Sequence, residues 1–252
     1  MMKKINLLKA MKYRHKMQFS ALRLVGESVF NGMVTYAAPV WYERALLVMN
    51  QRPLVAAQRA VLLTITSAYR TTSNEALPVL AGVLPIMLRL DLHHRNYKSK
   101  KGETNTTTME NKRAVMQKWQ KNWSAAINGS ETRKYWPNVV ERMRQQNISI
   151  NGYVAQATTG HGCFNKFLHE RRLRPSSNCQ DCGDEDSAEH ALYYCPVIEE
   201  QERNFQPPHE VSPFNDPASY VKFRAYITRV LRRRIAIEEP ARGDDEDGDE
   251  SP

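Results

Sequence analysis

The sequence predicts a mainly α fold built of small packed units, on three observations. Apolar residues recur at the three-and-four spacing of helix faces. Prolines stand where such helices would start or break. The 252 residues are 41% apolar, enough for a core, while a mean hydropathy of −0.60 leaves a large wet surface.

In chain order, Leu22, Val25, Val29, Met33 and Tyr36 form the first stripe, which Pro39 breaks. Pro53 suits a first helical position, and Leu54, Ala57, Val61, Leu62, Ile65 and Tyr69 follow on one face. Thr72 and Glu75 have the spacing of a capping box, and the short helix they open ends at Gly82. Pro85 opens another, with Ile86, Leu90 and Tyr97. Residues 1–98 thus read as one helical region, and the polar run 99–110 as a linker and subdomain boundary. A second helical subdomain covers 111–174. It starts with Met116, Trp119, Trp123 and Ile127 on one face. The two tryptophans lie one turn apart and read as core, not as stacking rings for bases, because the stripe is otherwise apolar. Pro137 opens a helix with Val139, Val140 and Met143, and the turn Thr159-Gly160-His161-Gly162-Cys163 leads to a short one with Phe164, Phe167 and Leu168. A basic helix over 218–237 turns Phe223, Ile227, Val230 and Leu231 inward and Arg224, Arg229, Arg232 and Arg233 mostly outward. The acidic stretch 238–252 is nearly without apolar residues, so disorder is expected there.

The chemistry-bearing segment covers 175–203. Cys179, Cys182, His190 and Cys195 have the spacing C-x2-C-x7-H-x4-C. Two thiolates two residues apart can grip one tetrahedral ion from a tight turn, and Gly183 permits the left-handed backbone such a turn needs. Ser187 is placed to cap a short helix that presents His190. Five residues on a regular helix span about 140° beyond a full turn. Cys195 therefore has to lie where that helix ends or unwinds, before Pro196. Three thiolates and an imidazole fill a zinc sphere and leave no place for water, so a structural Zn2+ site is expected, not a hydrolytic one. Cysteines clustered in this way point to metal rather than to disulfides in a reducing compartment.

Charge points to a polyanionic partner. The net charge is +9, but 238–252 hold eight acids and one base, which leaves about +16 on 1–237. RNA or DNA is the expected partner. Arg171, Arg172 and Arg174 beside the metal segment, with Arg232, Arg233 and Arg234 beside the acidic stretch, are the candidate contacts. No apolar run approaches the ~18–20 residues of a membrane span, and an intracellular location, nuclear or cytoplasmic, is expected. Other chemistry is weaker. Cys163, near His161 and His169, reads as a small buried thiol, not a nucleophile. His93 and His94 are adjacent and diverge around a helix. No Gly-rich phosphate loop or Tyr-x-Asp-Asp box occurs, and Asp244-Asp245 sits in the acidic run.

Several stretches together resemble the region that follows the palm in reverse transcriptases of non-LTR retrotransposons, of the kind common in insects. They are Tyr36-Ala37-Ala38-Pro39-Val40-Trp41, Gln58-Arg59-Ala60 through Thr72, Glu75-Ala76-Leu77 through Pro85, Thr159-Gly160-His161-Gly162-Cys163-Phe164, and Cys179 to Cys195. Their order and distances agree over roughly residues 25–200. The resemblance implies that 1–98 correspond to a thumb that grips template and product, and that the linker and CCHC knuckle help bind element RNA or target DNA. It also implies a truncated copy without polymerase activity of its own, since the endonuclease, fingers and palm carboxylates of such proteins have no counterpart here. The seven residues between Cys182 and His190 depart from the four of the retroviral nucleocapsid knuckle. Two further readings stand beside this one. In one, the chain is a domesticated protein-interaction module with a stapling zinc and unknown protein partners. In the other, it is an enzyme using Cys163 and His161.

Overall fold

The computed structural model describes residues 2–198, 213–214 and 216–238, and every regular element among them is helical. The α-helices are α1 Met2–Tyr13, α2 Phe19–Thr35, α3 Ala38–Ala45, α4 Val48–Thr66, α5 Ala76–Ala81, α6 Ile86–Lys100, α7 Thr108–Ala125, α8 Ser130–Tyr135, α9 Val139–Arg144, α10 Gly152–Thr159, α11 Asn165–Glu170 and α12 Pro217–Glu238. None is long and apolar enough to cross a membrane. The acidic stretch lies, beyond Glu238, outside the described residues.

Several helices bury a different face, or start elsewhere, than periodicity suggests. α2 buries Phe19, Leu22, Gly26, Phe30 and Val34, while Val29, Met33 and Tyr36 are exposed. Both stripes have helical spacing, and Gly26 decides between them. A Cβ there would lie 2.9 Å from Ile65 Cδ1 and 3.3 Å from Val61 Cγ1, so α4 packs closely against α2 where it has no side chain. Pro39 does not end the helical region; it sits in the first turn of α3, where a missing N–H costs little. Pro53 lies inside α4, one and a half turns past its start. Thr72 does not cap α5: its hydroxyl is buried without a hydrogen-bond partner, and Ser73 Oγ accepts from Ala76 N at 3.1 Å. Gly82 does end α5, with φ +66. Ile127 lies beyond α7 and is exposed.

The polar run after α6 is a structured turn. Thr107 Oγ1 accepts from Glu110 N, and the Glu110 carboxylate accepts from Thr107 N, a complete capping box at the start of α7. Asn111 Nδ2 donates to Asn96 Oδ1 and Ser99 Oγ, both at 3.0 Å, which ties α7 back to α6. One core of buried residues continues across this turn, from Ile5 to Leu231. Trp119 and Trp123 belong to it, and Trp123 Nε1 donates to Trp136 O at 2.8 Å. Arg142 is fully buried. It donates to Leu80 O at 2.8 Å and Gln145 O at 3.0 Å, with its guanidinium 5.2 Å from the Trp136 ring centre. α12 closes the far side. Phe223, Ile227, Val230 and Leu231 are buried, Tyr220 Oη donates to Ser149 O, and Tyr226 Oη donates to Leu192 O.

Candidate metal centre

The first cysteine pair is shaped by backbone bonds. Cys179 N donates to Asp184 O at 2.7 Å, and Gly183 N donates to Cys179 O at 3.0 Å. Gly183 has φ +87, the left-handed conformation that a side chain would resist. An isolated antiparallel bridge between Asn178 and Glu185 holds the base of this turn. The other two donors come from a capped, widened helix. Ser187 Oγ accepts from His190 N at 3.0 Å, as an N-cap does. His190–Tyr194 is a π-helix, and Cys195 N donates to His190 O at 2.8 Å across five residues. The wider turn brings the fifth residue back nearly under the first, so Cys195 meets His190 by widening of the helix. Cys195 itself is extended, with ψ 121, and the helix stops there.

These two pieces converge. The Sγ atoms of Cys179, Cys182 and Cys195 and a ring nitrogen of His190 all lie within 4.8 Å of one another, and Cys182 Sγ is 3.2 Å from His190 Nε2. Three of the four residues are buried and Cys182 is half-buried. Metal–sulfur bonds of ~2.3 Å put the corners of a tetrahedron about 3.8 Å apart, so the four donors suit one ion. Burial pushes the Cys195 thiol up to about 11, a cost that a coordinated cation reverses by taking the thiolate.

The periodicity and motif spacing give no hint of what holds this site from behind. Asp186 is wholly buried, and its Oδ2 accepts from Asn165 N at 2.7 Å and from Arg234 Nη2 at 2.5 Å. Asn165 Nδ2 donates to Asn178 O at 2.8 Å, so the start of α11 is bonded to both sides of the cysteine turn. The Asp-Ser-Ala-Glu-His run contains the aspartate, but its partners lie 21 and 48 residues away.

The Thr-Gly-His-Gly turn has a structural role. Gly160 ends α10 with φ +69. His161 Nδ1 lies 3.0 Å from Thr71 Oγ1, and its ring stacks on Phe167 with centroids 4.7 Å apart. Gln156 Oε1 accepts from Cys163 N at 3.2 Å, across the spot a Cβ on Gly162 would occupy. Cys163 is buried. His94 stacks on Tyr42, with centroids 4.1 Å apart. The candidate phosphate contacts do not share one environment. Arg171, Arg172 and Arg232 are exposed, with Arg171 5.7 Å from the Phe167 ring centre and Arg232 5.7 Å from that of Tyr153. Arg174 and Arg233 are half-buried, and Arg234, 11% exposed, is taken up by Asp186.

No family model matches the chain, and no solved structure matches it. Curated proteins do. Over 196 residues, 71% of this chain, it is 34% identical to a retrovirus-related Pol polyprotein from type-1 retrotransposable element R1 4 of Nasonia vitripennis, half of whose length is covered. A putative 115 kDa protein in type-1 retrotransposable element R1DM of Drosophila melanogaster is 32% identical over 70% of this chain and 19% of its own. The Pol polyprotein from element R1 2 of Nasonia vitripennis is 30% identical over 71% of this chain and 48% of its own. The chain thus spans about half the length of two of these relatives and about a fifth of the third.

Proposed function

We propose, on the premise that this chain is a homologue of the Pol polyproteins of R1-type non-LTR retrotransposons, that it is a non-catalytic region of such a protein, holding one structural zinc ion and binding RNA or DNA. The convergence of Cys179, Cys182, His190 and Cys195 carries the reading. Three thiolates and an imidazole at tetrahedral spacing favour zinc over harder ions, and a sphere filled by four protein ligands leaves no position for a reacting water. The ion therefore serves to tie the cysteine turn to the widened helix. The basic excess of about +16 on residues 1–237 supplies the attraction for phosphate, and Arg171, Arg172 and Arg232 are placed to make contacts because they are exposed.

A second reading, a protein-docking module with the same stapling zinc, is favoured by one observation. Between α1 and α2 lies an open groove lined by apolar side chains, among them Leu7, Met11, Val29 and Met33. Salt separates the two. Binding of the full chain to single-stranded RNA is expected to weaken steeply from 50 to 300 mM salt, as released counterions require. Purified protein is expected to carry about one equivalent of zinc, and Cys182→Ser to lose it, with amide protection falling across 177–198 and persisting in α2 and α4. RNA binding that is absent at low salt would leave the docking reading standing. Folded protein that takes up no zinc would remove the metal from both.

A further inference from the structure

Arg234 reaches from the last turns of α12 into the back of the metal centre. Its Nη2 lies 2.5 Å from Asp186 Oδ2, and the two side chains are 11% and 0% exposed. Asp186 is itself fixed in the ligand-bearing segment. Its N donates to Ser177 O at 2.9 Å, its O accepts from Lys166 N at 3.1 Å, and its Oδ2 accepts from Asn165 N. The pair is costly as a mere staple. Arg234 Nε and Asp186 Oδ1 are buried without hydrogen-bond partners, and buried ion pairs of this kind are often no better than well-packed apolar residues. Something else at this place has to call for a buried positive charge. A divalent ion with three thiolates and a neutral imidazole carries a net −1, and Asp186 adds another −1. Arg234 is the cation paired with Asp186, four residues before His190.

We propose that Arg234 is a positioning residue of the metal centre, which holds Asp186 in the segment between Cys182 and His190 so that metal occupancy and the docking of α12 stabilise each other. This rests on the reading of Cys179, Cys182, His190 and Cys195 as zinc ligands. Removing the guanidinium leaves the anionic centre unbalanced in a poorly solvated place and Asp186 without a cationic partner. Zinc affinity then falls. By reciprocity, whatever factor α12 docking contributes to zinc binding, zinc returns to the docking.

The test uses the full chain and three variants: Arg234→Gln, Arg234→Lys, and Lys222→Gln on the exposed face of the same helix. Zinc affinity is read by competition with a chelator of known affinity. Arg234→Gln is expected to bind zinc about 10-fold more weakly or worse, Arg234→Lys to fall between, and Lys222→Gln to match the parent. Hydrogen exchange of α12 gives the second readout. Zinc is expected to slow exchange in α12 of the parent and to do so much less in Arg234→Gln, while α2 and α4 exchange alike in all four proteins. If Arg234→Gln fails that fold check, Arg234→Lys decides by the same two readouts. Arginine variants that hold zinc as tightly as the parent, or α12 protection indifferent to zinc in the parent, would overturn the proposal while leaving the zinc site intact. A parent chain with no zinc affinity would overturn both together.

Discussion

Between His190 and Cys195 two candidate ligands five residues apart have to meet at one point, and an ordinary helical turn does not bring them there. The spacing makes this conflict legible, and with it the need for an irregular helix end. It does not show that the answer is a π-helix, because no residue type marks that widening. The cysteine turn is easier to read, since Gly183 with φ +87 is what a tight turn between two ligands asks of the backbone. Gly162 is a different kind of glycine. Its backbone is unexceptional, but a Cβ would stand 2.3 Å from Gln156 Oε1 and 2.8 Å from Gln156 Cγ, and that side chain is the one bonded to Cys163 N. Gly162→Ala is therefore expected to lose about 1–3 kcal/mol, the usual cost of overpacking. Gly32→Ala, in the exposed face of α2 with nothing within 4 Å, is expected to gain up to about 1 kcal/mol instead. Urea unfolding of the two variants checks this, and equal midpoints would mean that Gln156 moves aside freely.

Helix α7 begins with Thr107 and Glu110 each bonded to the other's backbone, and the same Thr-x-x-Glu pattern at Thr72 does nothing of the sort. The pattern is real physics in both places. At 72–75 burial overrides it, because Thr72 is drawn inward and Ser73 takes the cap. Thr107→Ala is expected to cost about 1 kcal/mol, seen as a lower urea midpoint together with faster amide exchange in the first turn of α7. Thr72→Val is isosteric and removes a hydroxyl with no partner, so it is expected to be neutral or slightly stabilising. The reverse ranking would put the cap at the wrong threonine. The same competition explains α2. Its helical period is plain in the sequence, yet the buried face is set by how closely α4 approaches Gly26, which is a fact about a partner helix. Pro53 and Pro39 read as boundaries for the same reason: proline marks an early position in a helix well, but the first residue poorly. Trp119 and Trp123 are buried as their spacing predicts, since a large apolar stripe one turn apart has few other uses than packing.

Across the whole molecule, charge is divided more sharply than fold. Residues 238–252 carry about −7 against about +16 on the rest, and a tethered anionic segment competes with phosphate at high local concentration. Deleting 238–252 is expected to raise single-stranded RNA affinity at low salt, with the gain shrinking as salt screens the competition. Affinities that coincide across the whole salt series, with and without the stretch, would show that it does not compete. The arginines that meet RNA in that experiment are expected to be Arg171, Arg172 and Arg232, since Arg234 is committed inward. That inward commitment also sets an order in time. α12 bonds to Ser149, Leu192 and Asp186, all of which leave the ribosome before it does. Synthesis proceeds at about 5–20 residues per second, so α10 and the π-helix His190–Tyr194 wait for seconds with apolar surface bare. The chain is most open to association with its neighbours during that interval, before its last described helix has emerged.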